Sequence, residues 1–262
     1  VTASDFPQLP ASLEARRDGN VAILSLARVE KRNALDDKTV LGIGTFFREV
    51  PDDIRAIVIS ARGDHFSAGL DLSTLTKTTP VESMKRSQIW YRAFEPIQFG
   101  NVPVVAALHG AVIGGGLELA AAAHIRVADA TAYYALPEAQ RGIFVGGGGS
   151  VRISRIIGAH RMMDLMLTGR IYTAEEGQHV GLSQYLVAAG DAERKAIALA
   201  KQVALVPPLS VYGILQAIPR NAEADPAAGF MLESLMASMA ASDPAAQERI
   251  ADFLAGRAAK VK

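Results

Sequence analysis

Two glutamates and two runs of small residues hold most of the chemical information in this chain. Residues 110–118 read Gly-Ala-Val-Ile-Gly-Gly-Gly-Leu-Glu, so Gly114 to Gly116 fall between a strand-like run and an alanine-rich stretch. Consecutive glycines lose more backbone entropy on folding than other residues, so the pattern asks for backbone without side chains. At a helix N-terminus such glycines present unpaired N–H groups, reinforced by the helix dipole, to an approaching oxygen. Phosphate is one occupant. However, no Lys-Ser or Lys-Thr pair follows as in a P-loop, and Leu119 stands where a dinucleotide fingerprint needs its third glycine. A carbonyl oxygen acquiring negative charge fits equally well. Glu118 lies three residues beyond Gly115, about one helical turn, which brings its carboxylate towards the same place. The competing structural reading is that Gly114 to Gly116 permit tight helix–strand packing and that Glu118 is a first-turn acid favoured by the dipole.

A second segment, Asp64 to Leu72 (DHFSAGLDL), follows the strand-like run Ile54 to Ser60. Ligands of parallel sheets collect beyond the carboxyl ends of strands. Ser67, Ala68 and Gly69 are small enough to expose their amides, and two such loops could each aim one amide at a shared oxygen, an oxyanion hole. The plainer alternative is a turn capped by Asp71, with His65 an ordinary loop residue. A third segment, Leu136 to Gly142 (LPEAQRG), places Glu138 after Pro137, 20 residues beyond Glu118 and ahead of the glycine tract Gly146 to Gly149. Two carboxylates near one substrate serve acid–base chemistry when their environments separate their pKa values. A salt bridge between Glu138 and Arg141 would explain Glu138 without chemistry.

These segments need a scaffold. Val21–Leu26, Ile54–Ser60, Val102–Leu108, Ile125–Ala128 and a shorter run at Tyr133–Leu136 read as strands. Asp36–Val50 carries the apolar stripe Val40, Ile43, Phe46, Phe47 of an amphipathic helix, and Val81–Phe99 is a second helical stretch with Pro96 near its end. Strands separated by helix-length crossovers pair in parallel, so the fold class is α/β. After about residue 150 the strand signal fades. Helices are predicted at Arg152–Gly158, His160–Thr168, Ala174–Val180, Ala192–Val206, Glu223–Ala241 and Pro244–Gly256, with Pro207, Pro208, Pro219, Pro226 and Pro244 as boundaries. The expected organisation is an α/β core over residues 1–190 and a helical region over 191–262 that covers the site or mediates assembly.

Composition narrows the field. The chain has 262 residues, with 27 lysines plus arginines against 27 acidic residues, so no global field favours nucleic acid or an anionic membrane. The Arg16–Arg17 run is too short for an RNA-binding strip. The absence of cysteine excludes disulfides, a thiol nucleophile and cysteine-ligated metal. The polar N-terminus, with Pro7 and Pro10, does not read as a signal peptide, and no apolar run approaches the roughly 20 residues of a membrane span. The expectation is a soluble, cytoplasmic protein.

Arg28–Asp36 (RVEKRNALD), Phe66–Leu72 (FSAGLDL), Val102–Gly110 (VPVVAALHG), Gly114–Leu119 (GGGLEL) and Pro137–Glu138 occur in order and at spacings that together resemble the enoyl-CoA hydratase/isomerase, or crotonase, superfamily, over about Val21 to Leu182 and more loosely beyond. The resemblance implies a crotonase-like spiral of ββα/βαβ turns with a helical C-terminal trimerisation region, assembled as a homotrimer or a dimer of trimers. It implies an oxyanion hole from the amides of Ala68 and Gly115, with Glu118 activating water and Glu138 handling the proton at the α-carbon. The backbone around Lys31, Arg32 and Ala34, and from Ala68 through Gly69 and Leu70 to Asp71, would hold the adenine end of coenzyme A. Gly114 and Pro137 would border the substrate, and Lys260 is the candidate for the CoA phosphates. No metal or redox cofactor is implied, because coenzyme A arrives as part of the substrate.

Two departures stand out. Ala123 and His124 replace a Cys-Asp pair common in the family, a difference read as structural. The tract IFVGGGGS (Ile143–Ser150) lacks the usual proline in a loop that lines the acyl pocket, which leaves substrate preference open. Both glutamates together favour hydration of a 2,3-enoyl-CoA. Enoyl-CoA isomerisation and carbon–carbon cleavage use the same enolate, and a non-catalytic acyl-CoA-binding module is a further alternative.

Overall fold

The computed structural model describes residues 6–75 and 79–257. The chain opens with an antiparallel pair, β1 (Leu13–Asp18) and β2 (Val21–Leu26), turning at Gly19. Next come α1 (Asp37–Arg48), β3 (Ala56–Ala61), α2 (Pro80–Phe99), β4 (Val104–Leu108), β5 (Ala111–Ile113), α3 (Gly115–Ala122), β6 (Ile125–Asp129) and β7 (Tyr133–Ala135). They are followed by α4 (Gly149–Ile157), α5 (Ala159–Thr168), β8 (Ile171–Thr173), α6 (Ala174–Val180), β9 (Tyr185–Val187) and α7 (Ala192–Val203).

The main sheet has the order β1-β2-β3-β4-β6-β9, parallel from β2 onward because α1, α2 and α3 carry the chain back between strands. Local capping starts these crossovers. The Asp36 side chain accepts from Thr39 N at 2.8 Å, and Thr79 with Glu82 forms a capping box ahead of Pro80. A second, short sheet, β5-β7-β8, runs alongside and is extended by an isolated bridge from Ser67 to Val112. From β4 onward successive turns add one strand to each sheet, β4 with β5 and then β6 with β7, each pair followed by a helix.

The strands β2, β3 and β4 are buried on both faces, as parallel strands covered by helices should be. On one face Leu24, Ile57, Ile59, Ala106 and Leu108 pack with Val40, Ile43 and Phe46 of α1 and with Phe94 of α2. On the other, Val21, Ile23, Val58, Val105 and Val127 meet Ala192, Ala196, Leu199 and Ala200 of α7. That spacing is one helical stripe, and its alanines let α7 lie close to the sheet.

α7 therefore belongs to the α/β unit, and the compact units divide at Ala204/Leu205 rather than at 190/191. The second unit contains α8 (Pro208–Asn221), α9 (Pro226–Ser242) and α10 (Pro244–Leu254), with α8 packed on α9. Pro208, Pro226 and Pro244 start these helices, but Pro219 lies inside the last turn of α8 and Pro96 inside α2. The strands beyond residue 150, β8 and β9, have three residues each, too few for a period to register in sequence. β1 escapes for another reason: LEARRD is polar and mostly half-buried, the pattern of an edge strand. Among the described residues no single helix is long and apolar enough to cross a membrane.

Candidate active site

Strand register brings the three chemical segments together. β5 pairs in parallel with β7, Ile113 opposite Ala135, and Gly114 N donates to Ala135 O at 2.9 Å. On the other flank Ser67 N donates to Ala111 O at 2.8 Å and Ile113 N to Ser67 O at 3.0 Å. The chain leaving β5 therefore enters α3 with the 67–70 loop on one side and the 136–138 turn on the other. Gly114 makes that entry at φ 53, ψ −122, a conformation closed to residues with a Cβ. A Cβ there would also come within 2.6 Å of Glu138 Oε1. Gly116 serves tight packing, because a Cβ would lie 2.6 Å from Ser67 Cβ. The packing and chemical readings of the glycine run thus hold for different glycines.

The amide geometry corrects one expectation. Ala68 N is occupied, donating to Arg32 O at 2.9 Å, and so cannot serve the oxyanion hole in this arrangement. Gly69 N donates to Ser67 Oγ at 3.1 Å and Asp71 N to Leu35 O at 2.8 Å. Among the described residues Leu70 N has no partner, and it faces Gly115. A Cβ on Gly115 would lie 3.5 Å from Leu70 N, and one on Gly69 would lie 3.2 Å from Gly115 N. Gly69, at φ 87, turns the chain so that this approach is possible. Gly115 N is the first amide of α3 and also has no acceptor among the described residues. The pair of amides that converge is Leu70 and Gly115. The Trp90 ring borders them, with Cζ3 2.9 Å from where a Gly115 Cβ would stand and Nε1 donating to Asp37 Oδ1 at 2.7 Å.

The two glutamates sit in contrasting surroundings. Glu118 is 3% exposed, and its Oε1 accepts from Gly147 N at 2.8 Å and Gly149 N at 2.7 Å. Burial pushes its carboxyl above the usual range, while these amides and the charge of Arg152 oppose the rise. The glycine tract thus holds the Glu118 carboxyl group. A Cβ on Gly149 would come within 2.8 Å of Glu118 Oε1, and one on Gly147 within 3.3 Å of Oε2. Glu138 is 8% exposed and its Oε2 is buried without a partner. Burial, with the charge of Glu118 added, pushes its carboxyl up to about 7. No Glu138–Arg141 salt bridge forms among the described residues; the Arg141 guanidinium donates instead to Pro137 O at 3.1 Å.

This environment has a stability consequence. Well below pH 4.5 Glu138 is neutral both folded and unfolded; between about 4.5 and 7 only the unfolded chain ionises, so folding stability falls across that window and levels off above it, where both states are charged. At roughly 1.4 kcal/mol per tenfold change in proton affinity, the full loss is about 3 kcal/mol. Glu138→Gln removes it. Denaturant unfolding should show this variant about as stable as the wild type near pH 4.5 and more stable by up to about 3 kcal/mol at pH 8. Equal stability at both pH values would refute the buried, strained carboxyl.

The segments expected at the adenine end of coenzyme A are stitched together by backbone. Leu35 N donates to Gly69 O at 2.7 Å, alongside the Ala68–Arg32 and Asp71–Leu35 bonds. Lys31 and Arg32 are exposed and Ala34 is half-buried. The Asp71 side chain is engaged within the protein, by Arg28 Nη2 at 2.8 Å and Ser73 Oγ at 2.6 Å. Lys260 lies outside the described residues. Sequence reasoning passed over Asn33, which takes φ 54 beside Arg32 at φ 50 and donates to Arg62 O at 2.8 Å and His65 O at 2.7 Å. Asparagine's tolerance of left-handed backbone was the available signal. His65 and His124 are structural: His65 Nδ1 accepts from Ala111 N at 3.1 Å, and His124 Nδ1 from Val104 N at 3.0 Å.

Comparison with known proteins identifies the fold and the family. Residues 16–261 match the family model described as enoyl-CoA hydratase/isomerase. A crystal structure provisionally assigned as an enoyl-CoA hydratase from Rhodopseudomonas palustris superposes with TM-score 0.92 at 53% identity, covering 97% of this chain and 100% of that one. An enoyl-CoA hydratase from Bacillus anthracis gives TM-score 0.88 at 25% identity over 96% and 99% of the two chains. An enoyl-CoA hydratase of Mycobacterium tuberculosis is 33% identical over 214 residues, 80% of each chain. The spiral of paired sheets is the crotonase fold, and the chain belongs to the enoyl-CoA hydratase/isomerase family.

Proposed function

We propose that this enzyme adds water across the double bond of a 2,3-enoyl-CoA. The observation carrying this reading is the meeting of two unpaired amides, Leu70 N and Gly115 N, with two carboxyl groups of unlike surroundings. Attack at the β-carbon drives charge onto the thioester oxygen, and preorganised amides stabilise it without reorganising. Glu118, held by backbone donors, takes the proton from water. Glu138, neutral up to about pH 7, delivers a proton to the α-carbon. Isomerisation would need a single shuttling carboxyl group, which leaves the second unexplained. The test is the loss of conjugated-thioester absorbance on mixing purified protein with crotonyl-CoA, then with longer and aryl-substituted enoyl-CoAs. Rapid loss supports hydration; no loss with any of them, despite CoA binding, replaces it with isomerisation or carbon–carbon cleavage.

The enzyme works as a homotrimer or a dimer of trimers. In support, Phe230, Met231, Leu235 and Met239 of α9 are half or more exposed or close to it, from 44% to 68%, an apolar surface of the kind that marks association. Sedimentation equilibrium should return three or six times the 27.7 kDa chain mass, and a monomer at micromolar concentration would refute the assembly.

A further inference from the structure

Burial of Glu118 to 3% exposure disfavours its charged form, and the loop amides that bond it are not the whole of what opposes this. Behind the loop that holds Glu118 lies Arg152 of α4, a guanidinium only 8% exposed. Its Nη1 donates to Gly147 O at 2.8 Å, and its Nε donates to Gln98 Oε1 of α2 at 2.7 Å. Gly147 is therefore gripped at both ends, its carbonyl by Arg152 and its N–H by Glu118. Gly148 must be a glycine for this to fit, since a Cβ there would lie 2.3 Å from Arg152 Nη1. Ser87 Oγ adds a donor to Gly146 O at 2.8 Å, so α2 pins the loop as well. Among the ion pairs of the described residues there is none between Arg152 and Glu118; the contact runs through Gly147. The positive charge acts through one layer of peptide and opposes the neutralising effect of burial.

The other charged groups around this core are few. Glu138 faces Glu118, while Glu95 and Arg155 act on Arg152. His124, whose Nε2 bonds Gln98 O at 3.1 Å, is held neutral by burial. Glu138 has no comparable cation locked behind it by two hydrogen bonds.

We propose that Arg152 is a positioning residue: through the Gly147 carbonyl and the Gln98 side chain it locks the glycine loop and favours the charged form of Glu118, the base. The inference rests on the hydration reading for its chemical meaning, but its first test needs no substrate. Carbon-13 NMR of glutamate side-chain carboxyls, with Glu118→Gln assigning the resonance, follows Glu118 through a pH titration of the intact assembly. In Arg152→Met the Glu118 transition should move upward by about one pH unit or more. Arg152→Lys, which keeps the charge but not the two-point grip, should titrate close to wild type. With crotonyl-CoA, Arg152→Met should lose about 100-fold in kcat with KM within about threefold, its acidic limb displaced upward, and Arg152→Lys should restore the limb and only part of kcat. An unmoved Glu118 transition in a folded Arg152→Met overturns the proposal. Should that variant fail to fold, wild-type kcat in Arg152→Lys overturns it instead. A negative hydration assay beside a shifted titration would reject the reaction and leave the role of Arg152 standing.

Discussion

Glutamine at position 118 or 138 should lower kcat for crotonyl-CoA hydration by about 100- to 10,000-fold while changing CoA affinity little. Each substitution keeps the shape of the side chain and removes its charge and its capacity to exchange a proton. The two variants differ in their pH profiles. The wild-type kcat/KM should fall as pH rises above about 7, because the proton required on Glu138 is then lost. In Glu138→Gln the residual activity should lose this alkaline decline, and in Glu118→Gln it should lose the decline on the acid side. The wild-type limbs belong to the coupled pair rather than to either residue, since the charge of Glu118 raises the Glu138 pKa. Steady-state kinetics from pH 5 to 9 checks both statements, and normal turnover in both variants would remove the glutamates from the mechanism.

The second large effect distinguishes two amides two residues apart. Replacing a single peptide N–H by an ester oxygen, with the corresponding α-hydroxy acid at that position, deletes one donor and keeps the side chain. An ester at Leu70 should cost about 100-fold or more in kcat, the scale of one oxyanion donor lost. An ester at Gly115 should cost a similar amount. At Ala68 it removes only the bond to Arg32 O, with an expected effect of about 1 kcal/mol on stability and little on kcat. A reversed order, with position 68 sensitive and position 70 indifferent, would restore Ala68 to the oxyanion hole.

The contrast between these positions shows how far the sequence reaches. Glycines 114–116 and the small residues 67–69 mark where backbone must be approached, and Glu118 and Glu138 are the carboxyl groups that such sites require. Hydrophobic period also points to the α/β class, because burial on a sheet or helix face leaves a local imprint, and the resemblance of the ordered motifs points to the family. The packing of α7 was less visible. Its Ala-rich stripe looks the same whether it covers the sheet or joins the C-terminal helices, and only the sheet face formed by Ile23, Val58 and Val105 distinguishes them.

Residue type and short-range spacing single out the two glutamates and the glycine run, while the family and Gly115 as an expected amide donor come from the resemblance of the ordered motifs. The tertiary structure alone decided which amide completes the pair, because hydrogen bonding is a competition among all nearby acceptors. Arg32 O, 36 residues before Ala68, captures the Ala68 N–H, and the turn at Gly69 delivers Leu70 instead. It alone likewise decided that the glycine tract 146–149 cradles Glu118 with Arg152 behind it. Glycine leaves no signature of what comes close to it; that partner is set by register and packing between segments far apart in the chain.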